Sequence, residues 1–75
     1  MKELIEYVAK SIVNSPDDVV VEEENDEEGT KFTLRVADDD KGRVIGKQGR
    51  IAAAIRTLIR VKAAKAGTKA SLEIL

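Results

Sequence analysis

The sequence contains neither cysteine nor histidine. Their absence excludes disulfide bonds, thiolate nucleophiles, imidazole acid–base catalysis and the zinc sites that these residues usually form. Among the residues that remain, no activated nucleophile and no working pair of carboxylates is evident. We therefore expect a protein that is not an enzyme and that has no metal site and no cofactor.

Aromatic residues and long apolar runs are also scarce. Tyr7 and Phe32 are the two aromatic residues of the 75, and Phe32 belongs to an alternating pattern that turns it toward a core. A surface that binds nucleic acid by stacking bases on aromatic rings is therefore excluded. The first 13 residues interrupt their apolar positions with charges, so they form neither a signal peptide nor a membrane span, and we expect a cytoplasmic protein without membrane contact.

The net charge of −1 conceals a strong separation of charge along the chain. Residues 1–40 hold four basic and thirteen acidic side chains, whereas residues 41–75 hold nine basic and one acidic. Such a separation is typical of a protein with a basic surface for an anionic partner. Attraction between the two halves inside the fold, or a surface that is merely solvated, explains the separation about equally well.

The N-terminal half predicts a helix followed by a hairpin. Apolar residues at helical spacing over 1–13 predict an amphipathic helix, which Pro16 ends. Three valines at 19–21, followed by acidic residues, predict an edge strand. After a polar connection over 25–29, apolar and polar residues alternate from Thr30 onward, which predicts a second strand with one buried face.

The C-terminal half predicts two helices and a strand. Asp40 is positioned to cap a short helix from Lys41 to about Ile45. A longer helix over 50–66 is followed by a strand over 70–74. The apolar stripe of that longer helix is Ile51, Ala54, Ile55, Leu58 and Ile59.

The order of elements α-β-β-α-α-β predicts the fold class. Strands joined by a hairpin pair antiparallel, and a strand reached through two helices returns parallel with a right-handed crossover. The sequence therefore predicts one α+β domain over residues 1–75, with two layers: a three-stranded mixed sheet in the order first, second, third, and three helices on one face.

The stretch between the two C-terminal helices predicts a binding loop. Gly46 and Gly49 lack a Cβ atom, so a sugar-phosphate backbone can approach their main chain. Outward-facing amides, the N-terminus of the following helix and the charges of Lys47 and Arg50 would then hold a phosphate. Ile45 would give bases an aliphatic floor.

Other interpretations of this stretch fit less well. A P-loop has one more residue between its glycines than Gly42 and Gly46 enclose, and Gln48 stands where the motif has Ser or Thr. The spacing of a dinucleotide-binding fingerprint is missing as well. A Gly-x-x-Gly turn also occurs as a simple tight corner, which the turn alone would favour. The basic residues on both sides exceed what a corner requires.

The segment Val44-Ile45-Gly46-Lys47-Gln48-Gly49 resembles the signature of the KH domain, with its Gly-x-x-Gly loop, and the order of elements is similar to the type II, bacterial arrangement. Over essentially all 75 residues the chain resembles the single-domain KH proteins of the KhpA family. The resemblance implies an RNA chaperone or post-transcriptional regulator that clamps single-stranded RNA with the loop and reads bases in an adjoining groove. It also implies a homodimer, or a heterodimer with a larger KH-containing RNA-binding protein.

The resemblance also implies which residues bind RNA. The loop would hold the phosphates, and aliphatic side chains would line a groove whose other wall is the last strand around 70–72. The short connection over 67–69 reduces that wall and with it the sequence specificity. The residues assigned to RNA binding are Arg43, Ile45, Gly46, Lys47, Gln48, Gly49, Arg50, Ile51 and Ala54.

A single copy should bind weakly. With roughly three or four phosphates neutralised, we expect a dissociation constant of about a micromolar or more, so that useful affinity requires a second module. The alternative function is a protein–protein interaction or dimerisation module whose basic half meets an acidic partner, with RNA binding incidental.

Overall fold

The computed structural model describes all 75 residues and has the element order α-β-β-α-α-β that the sequence predicts. The helices are α1 (Lys2–Ile12), α2 (Lys41–Ile45) and α3 (Arg50–Lys65). The strands are β1 (Val20–Asp26), β2 (Gly29–Arg35) and β3 (Ala70–Ile74). Short 3₁₀ turns lie at Pro16–Asp18, Asp38–Asp40 and Lys47–Gly49.

The three strands form one mixed sheet in the order β1-β2-β3. β1 and β2 pair antiparallel, with Val20 opposite Arg35. β2 and β3 pair parallel, with Thr30 beside Ala70. The predicted strand order and both strand directions are therefore confirmed.

The core lies between the helices and one face of the sheet. Phe32 and Leu34 alternate along β2 with exposed or half-buried residues. Both are almost completely buried, as are Ile5 of α1, Val44 of α2 and Ile59 of α3. Burying each such side chain contributes roughly 1.5–3 kcal/mol to folding. Because a single core holds all three helices on the sheet, the domain has the two layers that the sequence predicts.

The buried stripe of α3 differs from the predicted one. The buried residues of α3 are Ala52, Ile55, Ile59 and Ala63. Ala54 is exposed and Leu58 keeps 48% of its surface exposed, so the apolar stripe found in the sequence does not coincide with the buried face of the helix. Small alanines bring the helix close to the sheet, and the apolar pattern extends around more of α3 than the sheet can cover. No helix of the protein combines the length and the apolar composition needed to cross a membrane.

The β1–β2 hairpin is tighter than predicted. β1 continues through the acidic residues to Asp26, and two residues connect it to β2. Asp26 closes this turn, because its Oδ1 accepts the amides of Glu28 and Gly29 at 2.7 and 3.1 Å. A short side chain that accepts hydrogen bonds from the following amides stabilises a turn locally, so the acidic segment stays paired instead of running into solvent.

Asp40 joins the first helix to the second. It precedes α2, but its carboxylate makes no capping hydrogen bond there, which corrects the predicted cap. With 1% of its surface exposed, it accepts the backbone amides of Asn14 and Ser15 at 3.1 and 3.0 Å. A buried carboxylate requires such partners. Asp40 therefore fixes the turn after α1 against the start of α2.

Candidate nucleic-acid interface

The loop from Gly46 to Gly49 leaves α2 and enters α3 through three residues of positive φ. Gly46 has φ 76°, Gln48 φ 57° and Gly49 φ 73°. Left-handed backbone is unfavourable for residues with a Cβ and free for glycine. Gln48 is the one non-glycine residue of the protein with positive φ. The turn therefore holds a polar side chain in a conformation that a simple corner does not require.

Ile51 packs beneath the loop. A Cβ atom added to Gly46 would lie 2.6 Å from Cγ1 of Ile51, whereas one added to Gly49 would meet nothing within 4 Å. The first turn of α3 therefore presses directly against the main chain of Gly46. Ile51 is half-buried there, so it supports the loop from below.

Only part of the loop's main chain can bind a ligand. The amide of Gly46 donates to Gly42 O at 2.9 Å, that of Gly49 to Gly46 O at 3.1 Å, and that of Arg50 to Lys47 O. The prediction that the glycine amides face outward is therefore wrong. Lys47 and Gln48 follow the last hydrogen bond of α2, and their amides are the remaining donors of the loop.

The polar side chains of the loop are exposed. Lys47, Gln48 and Arg50 all face solvent, and Arg50 Nη2 donates to Gln48 Oε1 at 3.3 Å. Ile45, just before the loop, keeps 41% of its surface exposed. Arg43 is exposed and its Nε lies 3.8 Å from Asp40 Oδ1. The loop and its two neighbours thus expose the cations of Lys47 and Arg50, the amide of Gln48 and the aliphatic side chain of Ile45.

The basic half of the protein is not neutralised by the acidic half. Two of its cations, Lys41 and Arg43, pair with carboxylates of the first half. The five basic residues of α3 make no salt bridge. They are Arg50, Arg56, Arg60, Lys62 and Lys65. No acidic residue occurs between Lys41 and Leu72, so the loop and α3 present an uncompensated positive charge.

Arg56 is a polar residue beside β3 that the sequence analysis missed. Its Nε donates to the carbonyl oxygen of Leu72 at 3.4 Å, and the contact is partly buried. The flank of α3 that carries Arg56 therefore faces β3. Arg56 lies outside the apolar stripe of α3. Nothing in the sequence indicates that its side chain contacts Leu72 of β3.

The position of Arg56 can be compared with those of the residues predicted to line the groove. Successive residues of a helix are about 100° apart, so Ala54 and Ile51 lie roughly 160° and 140° around α3 from Arg56. Neither lies on the flank of α3 that carries Arg56, and the expectation that they line a groove for bases stays a prediction. Ala53 and Arg60, three residues before and four after Arg56, share its flank.

An open cleft lies at the other end of α3. It has a volume of about 810 Å³ and no hydrophobic lining. Its lining residues are Asp26, Glu27, Glu28, Gly29, Gly67, Thr68 and Lys69. Three carboxylates against one lysine repel a phosphate, so this cleft does not extend the interface of the loop.

An α-β-β-α-α-β domain with a mixed three-stranded sheet and a Gly-x-x-Gly turn between its second and third helices is a KH domain of type II. Residues 2–74 match the family model described as the KH domain of KhpA and KhpB. The chain belongs to this family.

Curated relatives extend over the whole chain. It is 51% identical over 75 residues to the RNA-binding protein KhpA of Clostridium perfringens, with both chains fully covered. The KhpA proteins of Clostridium acetobutylicum and Listeria monocytogenes are 49% and 47% identical over 75 residues, covering 100% and 99% of those proteins. The chain has no significant match among solved structures.

Proposed function

We propose that this protein binds single-stranded RNA and clamps its backbone with the loop from Gly46 to Gly49. The observation that carries the proposal is the exposed pair Lys47 and Gln48 in a turn of positive φ, within a segment whose charge is not neutralised. The names of the KhpA relatives support the same conclusion. Phosphates would be held by the Lys47 and Gln48 amides and by the side chains of Lys47, Gln48, Arg50 and Arg43.

The rest of the predicted interface has a supporting role in this proposal. Ile45 offers an exposed aliphatic surface to the base next to the clamped phosphates, since a ring is not available there. Ile51 fixes the loop from beneath. We propose that the protein acts by binding alone, as an RNA chaperone or post-transcriptional regulator in the cytoplasm.

The double substitution Lys47→Asp with Gln48→Asp tests the clamp. It replaces a cation and an amide at the phosphate position with two carboxylates, and we expect RNA affinity to fall by at least about 100-fold through like-charge repulsion. Both side chains are exposed, so the melting temperature should change little. Fluorescence anisotropy with a labelled single-stranded oligonucleotide measures the affinity, and circular dichroism the melting temperature.

A matched control is available in the loop at the far end of α3. Thr68→Asp with Lys69→Asp makes the same change in net charge, about 24 Å away along the 16 residues of α3. It should weaken binding only slightly. Equal losses in the two variants would show that overall charge, not the loop, governs binding. Undiminished binding of the Lys47 and Gln48 variant would refute the clamp and favour the protein-interaction module.

We also propose that the protein works as a dimer of two copies. Ala54, Leu58 and Val61 form an exposed apolar stripe along α3 at the spacing of a helix–helix contact. The loop contributes few phosphate contacts, so a second copy would raise the affinity for one RNA strand through effective concentration. A heterodimer with a larger KH protein is the other result that a measurement of assembly could give.

A further inference from the structure

β1 is an edge strand of the sheet, and one side of it has no neighbouring strand. The amide of Thr30 in β2 donates to Lys69 O, just before β3, so even-numbered residues of β2 turn their peptide groups toward β3 and odd-numbered ones toward β1. The register places those odd-numbered residues opposite even-numbered residues of β1. The peptide groups of Val21, Glu23 and Asn25 therefore point away from the sheet.

The accessible part of this edge is short. Val21 is 4% exposed, so its peptide group is covered, whereas Glu23 and Asn25 are exposed. No loop, turn or side chain of the protein hydrogen-bonds to the peptide groups of these two residues. They offer two amides and two carbonyls to an added strand. An unpaired strand edge of this kind is a template for pairing with another chain.

The side chains along the open edge are acidic. Glu22, Glu23 and Glu24 are all exposed. Glu22 pairs with Arg35 of β2, whereas Glu23 and Glu24 make no salt bridge. Because successive side chains of a strand point to opposite faces, Glu23 and Glu24 place one unpaired carboxylate on each face of the sheet beside the open peptide groups.

These carboxylates determine which chain can pair with the edge. They repel a nucleic acid. A second copy pairing through its own β1 would set like charges opposite each other, which destabilises a pair of strands. A second copy pairing through β3 would bring no cation, since β3 has none. A strand that carries lysine or arginine forms opposite-charge pairs across the edge on both faces.

We propose that the open edge of β1 binds an extended, lysine- or arginine-rich segment of a partner protein, which adds to the sheet as a fourth strand. The peptide groups of Glu23 and Asn25 bind its main chain, and the carboxylates of Glu23 and Glu24 select its charge. The interaction goes beyond RNA binding and does not depend on it, because it uses the acidic half of the chain whereas the loop from Gly46 to Gly49 belongs to the basic half.

A labelled synthetic peptide of about nine residues that alternates lysine and threonine is the probe, because β-branched threonine favours the extended conformation. Fluorescence anisotropy measures its binding to the wild-type protein. The same peptide with glutamate in place of lysine should not bind. The lysine peptide N-methylated at every residue keeps its charge but has no amide donors, so its affinity should fall by at least about tenfold.

Charge reversals in the protein test where the peptide binds. Glu23→Lys with Glu24→Lys sets like charges against the lysine peptide, and the affinity should fall by about tenfold or more. The matched control, Glu27→Lys with Glu28→Lys, makes the same change in net charge in the exposed turn after β1. It should weaken binding by about threefold at most. Equal losses in the two variants would show that overall charge governs binding and would overturn the inference.

Two substitutions at Glu23 separate its carboxylate from its peptide group. Glu23→Gln removes only the charge and should weaken binding by roughly two- to fivefold. Glu23→Pro also removes the outward amide, at a position where an edge strand tolerates proline, and should bind at least about fivefold more weakly than Glu23→Gln. Equal binding by these two variants would refute strand addition. If Glu23→Pro does not fold, the N-methylated peptide answers the same question with the wild-type protein.

The remaining outcomes are equally decisive. Wild-type protein that binds the lysine peptide no better than the glutamate peptide overturns the inference, as does undiminished binding of the N-methylated peptide. Self-association of the wild type that Glu23→Pro abolishes would assign the edge to a second copy instead. RNA affinity, measured separately, should be the same in Glu23→Gln as in wild type, so failure of this inference leaves the proposed RNA clamp intact.

Discussion

Gly46 and Gly49 stand three residues apart in one loop, yet the structure gives each a different reason to lack a side chain. Both have positive φ. A Cβ atom on Gly46 would also overlap Ile51, whereas one on Gly49 would point into open space. Gly46 is therefore required by backbone conformation and by packing, and Gly49 by conformation alone.

Alanine substitutions at Gly42, Gly46 and Gly49 should separate the cost of backbone conformation from the cost of packing. Gly49→Ala adds left-handed strain of about 1–2 kcal/mol, which in a domain of this size lowers the melting temperature by roughly 4–16 °C. Gly46→Ala adds the overlap with Ile51 and should be clearly less stable still. Gly42→Ala lies inside α2 with open space around it and should be neutral or stabilising by about 0.5–1 kcal/mol.

The melting temperatures of the three variants are measured by thermal unfolding monitored with circular dichroism. Gly42→Ala serves as the control, because it changes a glycine of the same segment without positive φ. A Gly46→Ala protein as stable as Gly49→Ala would contradict the packing of Ile51 against the loop.

At the scale of the element, α3 presents three distinct surfaces. Its alanines and isoleucines at positions 52, 55, 59 and 63 pack on the sheet. The flank with Arg56 faces β3, and the opposite flank carries the exposed stripe of Ala54, Leu58 and Val61. One helix therefore contributes to the core, to the contact with β3 and to the surface that we propose for dimerisation.

Leu58→Asp tests the pairing surface. A carboxylate in the centre of an apolar helix–helix contact has no partner, so the dimer should weaken by at least about tenfold. Thr57→Asp, exposed and one residue away on a different side of the helix, is the matched control and should remain a dimer. Light scattering coupled to size exclusion measures the mass. A wild-type monomer at high concentration would contradict the dimer.

At the scale of the whole molecule, the two charged halves act separately. The hairpin carries six of the fourteen acidic residues, and Glu22 pairs with Arg35 inside it. The cations of α3 remain unpaired. Three ion pairs join the two halves: Lys41 with Asp38, Arg43 with Asp40, and Lys31 with Glu73. Attraction between the halves is therefore limited to these pairs, and the fold keeps a positive side despite its net charge of −1.

Added salt should therefore weaken the proposed RNA binding without weakening the proposed dimer. With about three phosphates contacted on a single strand, raising salt fourfold should weaken RNA binding by roughly 20-fold. The pairing stripe is flanked by Lys62 and Lys65 on each copy, so salt should leave dimerisation unchanged or strengthen it. Anisotropy and sedimentation at two salt concentrations measure both. A dimer that dissociates with added salt would contradict an apolar contact between two basic helices.

The sequence by itself determined the element order, the strand directions and the position of the loop. Each follows from a local signal: alternation along β2, helical spacing in α1 and α3, and glycines that no helix accommodates well. The exposed basic and amide residues of the loop were found in the same way, because their exposure depends on the turn that contains them.

Tertiary structure decided what depends on contacts between distant segments. The apolar residues of α3 exceed what one sheet face can cover, so only packing decides that Ile55 is buried and Leu58 is not. The sequence predicts that Asp40 caps α2. In the fold its carboxylate instead accepts the backbone amides of Asn14 and Ser15, which follow α1. Arg56 gains its place beside Leu72 only when the flank of α3 packs against β3, and no local pattern indicates which flank does so.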